Sequence, residues 1–114
     1  MDSLELAKKI ACVLSDKKAQ DIDVIRVRDL TVIADYFVIA SGNSNTQVRS
    51  LVDEVEFQVE QTERRPTRIE KDKNNNWIVL DYGDVVAHIF YRETREFYQL
   101  ERLWADGEKV ELED

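Results

Sequence analysis

The residues best equipped for chemistry lie in the second half of the chain. Asp81 and Asp84 bracket Tyr82 and Gly83, and His88 follows shortly after. Paired carboxylates can hold Mg²⁺ against a triphosphate, the chemistry of nucleotidyl transfer, when neighbouring strands aim them at one ion. Here they flank what reads as a reverse turn, and the acids one residue apart that such a site uses are absent. Turn chemistry is the favoured reading. His88 is the only histidine and Cys12 the only cysteine, poor material for zinc. Ser41-Gly42-Asn43-Ser44 could present free helix amides to an anion. It lacks the further glycines of a dinucleotide fingerprint and the Gly-Lys-Ser/Thr of a phosphate-binding loop. A tight turn with an ordinary helix cap suffices to explain it. No catalytic residue, cofactor or metal is assigned, and the chain is expected not to be an enzyme.

The elements that must position these residues follow from periodicity. Asp2 and Glu5 read as a capping box, and Leu4, Ala7, Ile10, Ala11 and Leu14 give an amphipathic helix to about Lys18. Cys12 sits in this pattern and is expected to be a small buried hydrophobe. Ile22 to Val27 is a short β-branched strand. Tyr36 to Ala40 is an unbroken apolar run, which fits a central strand covered on both faces. Ser44 with Gln47 caps a second helix carrying Val48, Leu51, Val52, Val55 and Val59, and Pro66 ends it at or before Arg65. Thr67 to Glu70 is a short strand and Lys71 to Asn76 a loop. Trp77 to Asp81 and Val85 to Phe90 form an antiparallel hairpin about Gly83. Thr94 to Trp104 is expected to be helical, and the last ten residues to fray. The sum is one domain of mixed α/β (α+β) class, with a mixed sheet of about five strands flanked by helices.

Alternation along the hairpin assigns Ile78, Leu80, Val85, Ala87 and Ile89 to the core face. The other face carries Trp77, Asp81, His88 and Phe90, a mixture common at the centres of protein interfaces. Trp77 could equally pack under the last helix, where Phe97 and Trp104 also need burial. If the face is an interface, Trp77→Ala with His88→Ala should abolish partner binding and leave the fold intact.

Charge narrows the partners. The net charge is −8, so a phosphate backbone is repelled and direct sequence-specific nucleic-acid binding is not expected. Residues 105–114 hold five acids and one base, a net −4, and read as an acidic tail behind a domain spanning 1–104. Arg64, Arg65, Arg68, Lys71 and Lys73 form a local basic stretch. Met1 to Asp16 lacks the apolar centre of a signal peptide, and no stretch is long and apolar enough to span a bilayer. A cytoplasmic location without membrane partners is the expectation.

Several runs, taken together, carry a resemblance. They are Asp35 to Ser44, the helix at Val48 to Leu51, Trp77 to Phe90 with Asp81-x-Gly83-Asp84 and His88, and Arg95 to Trp104 ending in Tyr98-x-Leu100-Glu101-x-Leu103-Trp104. In these the chain closely resembles the ribosomal silencing factor (Iojap-like) family, from the first helix to Trp104. The resemblance implies a nucleotidyltransferase-like fold without the catalytic acids. It implies binding to the large ribosomal subunit through the fourteenth large-subunit protein, at the subunit interface. The bound factor then blocks joining of the small subunit and damps translation when nutrients are short. Members can form homodimers, and organellar relatives act in ribosome assembly, which is the alternative role. Carried onto this chain, the expected contacts are Trp77, Asp81, Tyr82, Asp84, His88, Phe90, Arg95 and Tyr98.

Overall fold

Asp2 opens the first helix as expected, its side chain accepting the Glu5 amide at 2.8 Å in the computed structural model of the chain, which describes residues 1–111. Helix α1 (Ser3–Asp16) buries Leu6, Ala7, Ile10, Ala11, Val13 and Leu14. That stripe leaves position 12 on the opposite side, so Cys12 is exposed and not the buried hydrophobe expected of it. Lys18, in the left-handed region at φ 68°, turns the chain into β1 (Gln20–Arg26).

Strand β2 (Tyr36–Gly42) is buried at all seven positions, as its continuous apolar run requires. It lies between β1, antiparallel to it, and β5 (Val85–Tyr91), parallel to it. Helix α2 (Asn45–Glu60) follows and buries Val48, Leu51, Val52, Val55 and Val59. It stops at Glu60, well ahead of Pro66. Strands β3 (Arg68–Lys71) and β4 (Trp77–Asp81) then extend the sheet antiparallel beyond β5, with β3 exposed along its length. Gly83, at φ 93°, makes the β4–β5 turn that a side chain would strain.

Two expectations need correction at the C-terminal end. The helix foreseen over Thr94 to Trp104 is two pieces, α3 (Arg92–Tyr98) and α4 (Leu100–Leu103), broken at Gln99 in the left-handed conformation. Fraying does not begin at Ala105 either. β6 (Glu108–Lys109) pairs with β1, and the Val110 amide donates to the Val24 carbonyl at 2.8 Å. Gly107 permits this approach, since a Cβ there would lie 2.5 Å from Ile25 Cγ2 and 2.8 Å from the Arg26 carbonyl. Leu112 to Asp114, the end of the expected acidic tail, lie outside the described residues.

Among the described residues the sheet therefore has six strands in the order β3-β4-β5-β2-β1-β6, one more than expected because β6 joins it. One face is closed by α1 and α2 over Val24, Val38, Ala40, Ile78, Leu80, Val85, Ala87 and Ile89. The opposite face gathers Ile25, Phe37, Ile39, Val86 and Phe90, packed by Leu100 and Trp104 from the α3–α4 segment. No helix among the described residues is long and apolar enough to cross a membrane.

Candidate functional site

Alternation on β4 sends Ile78 and Leu80 under the helices and leaves Trp77, Val79 and Asp81 on the other face, each half-buried. Cross-strand register sets Trp77 against Phe90, Val79 against His88 and Asp81 against Val86. The aromatic-and-polar face read from the sequence is therefore assembled, but much of it is roofed. Phe90 is wholly buried, and Trp77 stacks on it with ring centres 4.8 Å apart. Tyr98 is tilted against Trp77, also at 4.8 Å, and Phe97 meets Tyr98 edge-on at 5.2 Å. Trp104 packs edge-on against Phe37 at 5.1 Å. Thus Trp77 faces inward and outward at once, bridging the buried Phe90 and the half-exposed Tyr98.

His88 is buried beside Phe37 and beneath this row. Its Nδ1 accepts from Trp77 Nε1 at 3.2 Å, which assigns the ring proton to Nε2. Nε2 is buried and has no hydrogen-bond partner among the described residues. Burial pushes the pKa down to about 4, with Asp81 pulling weakly the other way. A neutral imidazole whose only lone pair is already accepting a bond is poorly placed to act as a general base.

The two aspartates of the hairpin turn have separate employments. Asp81 Oδ1 accepts the Gly83 amide at 2.8 Å, closing the turn. Asp84 Oδ1 pairs with Arg64 Nη2 at 2.6 Å, and the same nitrogen reaches the Tyr82 carbonyl at 3.1 Å. This geometry pins the turn to the segment that follows α2 and does not converge on an ion. Among the described residues no group of three or more His, Cys, Asp or Glu side chains could hold a metal.

The Ser41–Ser44 break is likewise occupied by its own residues. Ser44 Oγ accepts the Gln47 amide at 3.0 Å, and Gln47 Oε1 accepts the Asn43 amide at 2.6 Å. Gly42 stands where a Cβ would press on Val48 at 3.1 Å, so its role is close packing of β2 on α2.

Of the eight contact candidates, four point into the protein. Tyr82 lies in the helix-side core, where burial pushes its phenol up to about 12. Arg95 is 6% exposed, and its guanidinium donates to the Asp21 carbonyl, to Ser41 Oγ at 2.9 Å and to Asp23 Oδ2 at 3.0 Å. It fastens α3 to β1 and β2. Like His88 and Phe90, these side chains are buried and offer no surface to a partner. Trp77, Asp81, Asp84 and Tyr98 reach solvent. Sequence reasoning missed Phe97, which is 81% exposed although its helical spacing suggested burial. The break at Gln99, with no glycine to announce it, is why the spacing misled.

Comparisons with known proteins agree on one family. The family model described as "Ribosomal silencing factor during starvation" matches residues 1–114. Ribosomal silencing factor RsfS of Halalkalibacterium halodurans is 34% identical over 99% of this chain and 97% of its own length. That of Bacillus subtilis is 33% identical over 99% and 96%. The mouse protein named "Mitochondrial assembly of ribosomal large subunit protein 1" is 34% identical over 83% of this chain and 43% of its own. A crystal structure of a Chromobacterium violaceum protein superposes with a TM-score of 0.88 at 29% identity, covering 100% of this chain and 94% of that one. By sequence along its whole length and by fold, this chain belongs to the ribosomal silencing factor family.

Proposed function

We propose that the protein is a cytoplasmic translational repressor that binds the large ribosomal subunit and sterically blocks joining of the small subunit. The observation that carries this reading is the match to the silencing-factor family along all 114 residues. The contact is with the fourteenth large-subunit protein, through the α3 and hairpin surface at Trp77, Asp81, Asp84 and Tyr98. Charge supports a protein partner. A chain of net −8 gains nothing from ribosomal RNA but complements a basic ribosomal protein. Occupancy alone can block assembly, so no catalytic step is needed. The protein acts when nutrients are limiting, and it can self-associate as a homodimer.

The test is a sucrose gradient of purified subunits with the protein added. It should migrate with large subunits and reduce the whole-ribosome peak in proportion to occupancy. Protein left at the top of the gradient, or an undiminished whole-ribosome peak, overturns the reading. Light scattering across concentration checks the homodimer.

A second role, in assembly of the large subunit, is favoured by the name of the mouse relative. Cells lacking the protein would then accumulate incomplete large-subunit particles even in rich medium.

A further inference from the structure

Beside the aromatic row the surface sinks into a hollow of about 380 Å³ between the β3–β4 loop and α3. Its walls include Trp77, Tyr91, Phe97 and Tyr98, and its rim includes Asp72 and Glu93. Among the described residues no lysine or arginine lines it. The rim is preset, since Asp72 Oδ1 accepts the backbone amides of Asn76 at 2.5 Å and Trp77 at 3.2 Å. The wall is preset too, because Tyr98 is tilted against Trp77, which is stacked on the buried Phe90. Phe97, by contrast, is held on the aromatic side by one edge contact and is otherwise open to water.

We propose that this hollow receives an arginine side chain of a basic protein partner. Aromatic faces attract a cation through their quadrupole, and carboxylates at the rim complete its coordination. A guanidinium suits the site better than an ammonium: it is planar, stacks on rings, sheds water more readily and donates in a fork to a carboxylate. The two acids repel phosphate, which sets the site apart from the stacking platforms that bind single-stranded nucleic acid. Rigid aromatic walls with anchored acids lose little entropy on binding, the arrangement from which interface hot spots are made. The proposal rests on the reading that the partner is a ribosomal protein, and it names the side chain that this partner inserts.

Glu93 and Phe97 are both exposed, so their replacement leaves the core untouched. The full-length chain and its Glu93→Gln and Phe97→Ala variants are compared for co-sedimentation with large ribosomal subunits, folding being checked by circular dichroism. Each variant should bind roughly tenfold more weakly than the parent. Parental affinity in both folded variants overturns the arginine site while leaving the ribosomal reading intact. If the parent itself fails to bind, the ribosomal reading falls and a second measurement decides the site. The ¹⁵N-labelled chain is titrated with N-acetyl-arginine amide and with its citrulline counterpart, which keeps the shape and loses the charge. Arginine should shift the Trp77 indole and the amides near Asp72 and Phe97 several-fold more than citrulline does. Equal shifts from the two compounds, or larger shifts from a short oligouridylate, overturn the proposal.

Discussion

The two faces of the sheet are built from different materials. Under α1 and α2 the residues are mostly aliphatic, joined by Tyr36 and Tyr82, and are closed over by two long helices whose caps use their own side chains. The other face mixes aliphatic side chains with an aromatic row, Phe37, Trp77, Phe90 and Trp104, and carries a buried histidine. Its roof is two short helices without side-chain caps, joined through a left-handed glutamine. Aliphatic side chains interdigitate and hold stability wherever the helices press on them. Aromatic side chains can have one edge in the core and another in water, which gives a surface stiffness at low entropic cost. The first face makes the fold, and the second presents it.

The contrast can be broken or sharpened by measurement. Ile89→Ala, on the helix-covered face, should cost about 2–5 kcal/mol in urea unfolding, because it leaves a cavity that two long helices cannot close. A cost no greater than that of Trp104→Ala, on the half-buried roof of the other face, would erase the distinction.

His88 gives the aromatic face a pH dependence on the acid side of neutrality. Folded, the imidazole is neutral down to about 4, whereas the unfolded chain takes up a proton near 6.5. Its contribution is complete above pH 6.5 and is lost as pH falls through that window. The limiting loss is about 3 kcal/mol at 1.36 kcal/mol per pH unit. His88→Leu should flatten this part of the stability profile, measured by denaturation between pH 7 and pH 4. A slope unchanged in the variant assigns the acid sensitivity elsewhere.

The smallest effect belongs to the hinge of the roof. Gln99 sits at φ 48°, where a side chain is strained, so Gln99→Gly should stabilise by up to about 1 kcal/mol. A melting temperature that falls would mean that the helix on either side needs glutamine more than it needs relief.

These regions also differ in how far they could be read in advance. Asp2, Ser44 and Gly83 announced a cap, a cap and a turn, because each meets a local backbone need with a local side chain. The buried run of β2 was visible as unbroken apolarity. Cys12 was misjudged, although the helical stripe already pointed away from it. What could not be read was tertiary. Glu108 and Lys109 look like a charged tail until β1 offers them a ladder. His88 and Phe90 alternate as surface residues do, and only the return of Trp104 across Phe37 encloses that face. The same remoteness hid the anchor of Arg95, whose partners Asp21, Asp23 and Ser41 lie more than fifty residues away. The double variant lacking Trp77 and His88 is accordingly a poor probe of the interface. It removes a hydrogen-bonded pair that the fold itself uses.

Strand β3 ends the sheet on the side away from β6, and its sequence Arg68-Ile69-Glu70-Lys71 has one apolar residue in four. An open sheet edge is a template on which a foreign strand can grow. Here any newcomer must lie alongside two cations and an anion before it finds a hydrocarbon to cover. One rim of the sheet is therefore left unsealed yet poorly suited to growth, because its charges would have to be stripped of water before a new strand could pair there.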